Sequence, residues 1–129
     1  MNKKVWINGS FDILHIGHIK LFEYASSLGT IRVGLDSDRR IKEKKGNNRP
    51  FNNLEDRLEF LKAIKYITDI VTFDSDEELI NQIKNYTPNI MVIGNDYTYE
   101  SIIGKEYITE IKFFQKIPNK STTHILNSK

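Results

Sequence analysis

The chain has 129 residues, 39% of them hydrophobic and 28% charged, with a formal net charge of +2 and no cysteine. That length suits one domain, residues 1–129, with a real core, and the charge is too small to argue for nucleic acid. The missing thiols exclude a disulfide, a cysteine nucleophile and a cysteine metal site. The N-terminus has no apolar signal region and no run nears the ~18 apolar residues of a membrane span. The expectation is a cytoplasmic protein that engages neither membrane nor nucleic acid.

Taken in order, apolar runs alternate with helical periodicity, the pattern of a parallel α/β sheet. Lys4 to Asn8 reads as a first strand, ending at Gly9-Ser10. A helix from about Ile16 to Leu28 carries His18, Leu21, Phe22 and Ala25 on one face, and Gly29 suits its stop. Thr30 to Leu35 is a second strand, and Asp36-Ser37-Asp38 a cap for a short basic helix. The polar stretch Lys44 to Pro50 has no apolar period and reads as a mobile flap.

Asn53, with Asp56 three residues on, opens a helix bearing Leu54, Leu58, Leu61 and Ile64. Asp69 to Phe73 is a third strand, and Glu77 to Tyr86 a helix stopped by Pro88. Ile90 to Ile93 is continuously apolar, as a central parallel strand buried on both faces requires. A short helical piece then covers Glu100 to Tyr107, a last strand lies within Ile108 to Phe114, and Ser121-Thr122-Thr123 opens a final helix. Five strands with right-handed crossovers make a doubly wound, Rossmann-like α/β sheet, which binds ligands beyond the carboxyl ends of its strands.

The chemistry-bearing residues fall at that edge. His15 and His18, spaced i, i+3 on an opening helix turn whose backbone N–H groups favour anions, suit two donors that stabilise a phosphoryl transition state. The competing reading is a capping His15 and a core His18. Gly9-Ser10 allows close approach and a hydroxyl contact, but neither a dinucleotide nor a P-loop glycine pattern is present. Lys42, Lys44 and Lys45 are a solvated face or a grip on phosphates. Asp96 follows a buried strand and Gly94, fit for turn chemistry, a ribose or base edge, or a hydrated Mg²⁺. Ser121, Thr122 and Thr123 cap a helix or bind phosphates at its open end.

Gly9-x-Phe11-Asp12-x-x-His15-x-Gly17-His18 resembles the signature of the cytidylyltransferase-like nucleotidyltransferases, whose mark is His-x-Gly-His. The resemblance covers nearly the whole chain. Lys45-Gly46-x-x-Arg49-Pro50-x-Asn52, Asp56-Arg57 and Gly94-x-Asp96-Tyr97 lean toward the heptose 1-phosphate adenylyltransferases, with glycerol-3-phosphate cytidylyltransferases second. It implies transfer of a nucleoside monophosphate from ATP or CTP to a sugar or polyol phosphate, with Mg²⁺ as cofactor, pyrophosphate as leaving group and a homodimer as the assembly. A nucleotide-binding module that has lost catalysis is the alternative.

By the same resemblance His15, His18, Lys42 and Lys45 are catalytic. Gly9, Ser10, Phe11, Gly17, Lys44 and Gly94 bind nucleotide, as do Asp96, Lys116, Asn119, Ser121, Thr122 and Thr123. Lys65, standing where the family has an arginine, joins them, and Asp12, Arg49 and Arg57 bind the acceptor. No residue is assigned as a direct metal ligand.

Overall fold

A computed structural model describes residues 3–94 and 102–114. In chain order they form β1 (Lys4–Gly9), α1 (Ile16–Ser26), β2 (Thr30–Asp36), α2 (Asp38–Lys45), α3 (Leu54–Lys62), β3 (Asp69–Phe73), α4 (Asp76–Tyr86), β4 (Ile90–Gly94), a 3₁₀ turn (Lys105–Tyr107) and β5 (Glu110–Phe114). The strands make one sheet in the order β3-β2-β1-β4-β5, and every pairing is parallel.

Strand alternation sorts the core into two layers. Val5, Ile7, Ile31, Val33, Ile90 and Val92 face one side, where Phe22 and Ala25 of α1 and Leu61 of α3 cover them. Trp6 and Met91 face the other, under Leu79 and Ile83 of α4. Each such side chain, removed from water, contributes about 1.5–3 kcal/mol. β4 is buried on both faces, as its continuous apolar run requires. Beside Trp6 the second strand carries Gly34, because a Cβ there would stand 2.4 Å from the indole Cζ2.

The helix starts follow their capping residues. The side chains of Ser37, Asn53 and Ser75 accept from the N–H groups of Arg40, Asp56 and Glu78 respectively. α4 stops at Thr87, in a left-handed conformation at φ 52°, just before Pro88. α2 runs two residues further than its composition implies, so Lys44 and Lys45 belong to its last turn and not to a loop. No helix among the described residues is long and apolar enough to cross a membrane.

The strand order reverses direction between β1 and β4, the position at which a doubly wound sheet opens a crevice at its carboxyl edge. A cavity of about 390 Å³ lies there.

Candidate active site

β1 delivers the chain to Gly9, and Phe11 then adopts a left-handed φ of 47°. This turns the Phe11 ring back over Gly9, with Cζ 3.2 Å from where a Cβ would stand. The ring also meets His18 edge-on at 5.5 Å and Phe22 at 5.3 Å, so the strained turn seats one histidine directly.

The start of α1 is a capping box built from two imidazoles. His15 Nδ1 accepts from the Gly17 N–H at 3.0 Å, and the His15 N–H donates to His18 Nδ1 at 3.2 Å. An acceptor Nδ1 is a deprotonated one, so each neutral ring carries its proton on Nε2. Both rings line the cavity, with centroids 4.0 Å apart.

His15 thus caps the helix and lines the cavity at once, whereas His18 is a half-buried wall residue and not core. Within the turn the N–H groups of His18 and Ile19 donate to His15 O, so part of the main-chain donor set is used internally.

β2 and α2 supply the charged wall. Ser10, Lys44 and Lys45 line it, and Lys45 Nζ donates to Ser10 Oγ at 3.2 Å. Arg40, buried to 6% exposure, also lines it and pairs with Asp36 and Asp76, each at 2.7 Å. Burial pushes the Asp36 carboxyl up from its ordinary value, against the opposing pull of Arg40, Lys44 and Lys45. Lys42, expected to be catalytic, is exposed and is not brought to this wall, because the residues facing the cavity are its helix neighbours at 40, 41, 44 and 45.

Further expectations change. Asp12 is engaged by the protein itself. Its carboxylate accepts from Arg49 Nε at 2.9 Å and from the N–H groups of Phe51 and Asn52 at 2.8 Å each. Burial alone raises its pKa, but the N–H groups of Asn52 and Phe51 and the Arg49 guanidinium outweigh that and hold it below the ordinary value. Asp12 thus pins the 46–52 loop to the start of the site, in place of the mobile flap its composition suggests, and Arg49 is one of the pins.

Arg57 is wholly buried and joins three segments. It donates to Asn52 O, Ser10 O and Asp36 O at 2.8–3.0 Å and to Asp38 Oδ1 at 2.6 Å. It positions the site from beneath and does not reach an acceptor. Lys65 precedes β3 and so sits at the amino edge, opposite the cavity, with Nζ 5.2 Å from the Tyr66 ring centroid. Asp96, Lys116, Asn119, Ser121, Thr122 and Thr123 lie outside the described residues.

Among the described residues, the β4–β5 half of the cavity is apolar, formed by Met91, Ile93, Ile102, Ile103 and Phe114 beside Gly94. The motif reading missed Arg40, although an Asp–Arg pair at i, i+4 with the aspartate ending a strand was a usable signal.

A family model for cytidylyltransferase-like proteins matches residues 6–126. The chain belongs to the cytidylyltransferase-like family. Relatives in it include the bifunctional protein HldE of Campylobacter fetus subsp. fetus, 45% identical over 95% of this chain and 27% of that protein. HldE of Sulfurimonas denitrificans is 43% identical over 94% of this chain and 25% of its own length. The chain spans about a quarter of the relatives it matches.

The fold recurs in a lipopolysaccharide core biosynthesis protein from Thermoplasma volcanium (TM-score 0.68, 23% identity, 91% of this chain and 98% of that one). It recurs also in a pantoate-beta-alanine ligase from Francisella tularensis (TM-score 0.67, 14% identity, 98% and 65%). In this cytidylyltransferase-like chain the family's His-x-Gly-His segment is thus both the helix cap and the meeting line of a charged and an apolar half-cavity.

Proposed function

We propose that the chain is a nucleotidyltransferase that joins the AMP of ATP to heptose 1-phosphate. The observation that carries this is the pair of imidazoles, each fixed as an Nε2–H donor, between a cationic wall and an apolar one. An acceptor phosphate oxygen attacks the α-phosphorus in line, the bond from that phosphorus to the bridging oxygen breaks, and pyrophosphate leaves. The acceptor phosphate is already an anion, so no general base is required. His15, His18 and Lys45 instead meet negative charge as it builds on the phosphoryl oxygens.

The preference for a heptose rests on the Lys45-Gly46-x-x-Arg49-Pro50 pattern and on the identity shared with the HldE proteins. The bound loop makes physical sense of that pattern, because Arg49 ties it to Asp12 beside the histidine turn.

Mg²⁺ fits as a companion of the triphosphate. Among the described residues no three acidic or histidine side chains converge as a cage, and such an ion commonly takes most of its oxygens from phosphates and water. When bound it neutralises charge on the leaving pyrophosphate. The reading extends to a homodimer in the cytoplasm.

Pyrophosphate release measured for ATP and CTP against heptose 1-phosphate and glycerol 3-phosphate tests the assignment. ATP with heptose 1-phosphate is expected to dominate. Turnover confined to CTP with glycerol 3-phosphate moves the chain to CDP-glycerol synthesis, and nucleotide binding without turnover in any pairing makes it a binding module.

A further inference from the structure

The two halves of the cavity differ in chemistry. Met91, Ile93, Ile102, Ile103 and Phe114 suit the flat faces of a base, and the histidine turn at the centre suits the triphosphate. What remains is the β2–α2 wall, where Asp36 stands among cations. Arg40 donates through Nε to Asp36 Oδ1, forms an ion pair through Nη2 with Asp76, and its guanidinium lies 5.2 Å from the Phe73 ring centroid.

Held at three points, Arg40 leaves Asp36 one orientation. No hydrogen bond to Asp36 Oδ2 is seen among the described residues, and no buried side-chain polar atom among them lacks a partner, so Oδ2 is accessible, on a residue that lines the cavity. A carboxylate oxygen already neutralised by Arg40, with Lys44 and Lys45 close by, is a poor partner for another cation and a good acceptor for a hydroxyl.

We propose that Asp36, aimed by Arg40, selects the acceptor by taking a hydrogen bond from a hydroxyl of a polyhydroxylated phosphate whose phosphate is gripped by Lys44 and Lys45. This rests on the nucleotidyltransferase reading for the word acceptor, but the recognition itself is a binding property that needs no turnover. Asp36 is a specificity residue and Arg40 a positioning residue.

The test is calorimetric binding of heptose 1-phosphate, glycerol 3-phosphate and n-propyl phosphate to the whole chain, with a non-hydrolysable ATP analogue present. Wild type is expected to bind at least one hydroxylated phosphate about 10- to 100-fold more tightly than propyl phosphate, because an unmet carboxylate oxygen penalises the analogue. Asp36→Asn is expected to lose that preference while its affinity for the ATP analogue stays within about twofold. Arg40→Lys, which keeps the charge but not the fixed fork, is expected to fall between them.

Equal binding of all three phosphates by wild type overturns the proposal and requires no variant to fold. A preference that survives in Asp36→Asn overturns it as well, as does a loss confined to the ATP analogue, which would assign Asp36 to the ribose. Preference without pyrophosphate release sinks the enzyme reading and leaves this one standing; release with no preference does the reverse.

Discussion

His15 and His18 each spend Nδ1 on a main-chain N–H, and that bond decides what the other ring nitrogen offers. In the proposed reaction a proton on Nε2 would serve as a donor to charge that grows in the transition state, which is where such a donor has most effect. His18→Ala is therefore expected to lower kcat by about 10²–10³ with nucleotide affinity nearly unchanged. The same change removes half of a capping box, so the melting curve is expected to show a loss of about 1 kcal/mol.

Arg57 makes the opposite case. Four acceptors depend on one planar fork, and a lysine ammonium cannot span them. Arg57→Lys is expected to cost about 3 kcal/mol or more in urea denaturation, a loss in stability that precedes any loss in chemistry. Motif spacing pointed to Arg57 as functional but not to how it functions, because spacing carries no burial. Arg40 escaped for the converse reason: its pairing with Asp36 is local, but its burial and its second partner Asp76, 36 residues away, come from the fold.

Among the elements, β3 has the bounds its sequence implies, Asp69 to Phe73, and α3 starts at its expected Asn53 cap. Such boundaries are local chemistry and were legible. The 46–52 loop was not, since its polar, glycine-bearing composition describes a segment without partners, whereas Asp12 supplies them from a distant position in the chain. This gives the loop a pH dependence with a definite sign.

Asp12 is more acidic in the folded chain than its ordinary 3.8, so its contribution to stability is complete above that value and is lost as the pH falls through the lower folded value. Asp12→Asn removes the ionised anchor at all pH values. In acid titrations followed by circular dichroism, the stability gap between wild type and Asp12→Asn is expected to be constant near neutrality and to close only below about pH 3.8. A gap that closes near neutrality would place the ionisation elsewhere.

Across the molecule, the sheet order β3-β2-β1-β4-β5 puts the histidine turn at the reversal point, with a cationic wall on one hand and an apolar wall on the other. Parallel strands and crossover helices were readable from periodicity, but the division of the cavity was not. It depends on which strands become neighbours of β1, and no run of sequence states that. In the proposed reaction the division would let one short motif serve two ligands, since the turn lies between the two walls. The account stands or falls on transfer between them. The direct measurement is ³¹P NMR of the chain with ATP, Mg²⁺ and heptose 1-phosphate. The predicted result is matched growth of free pyrophosphate and of a new diphosphate-ester pair as the ATP and heptose phosphate resonances fade. ATP left intact, or converted to ADP and inorganic phosphate with the heptose phosphate untouched, would contradict it.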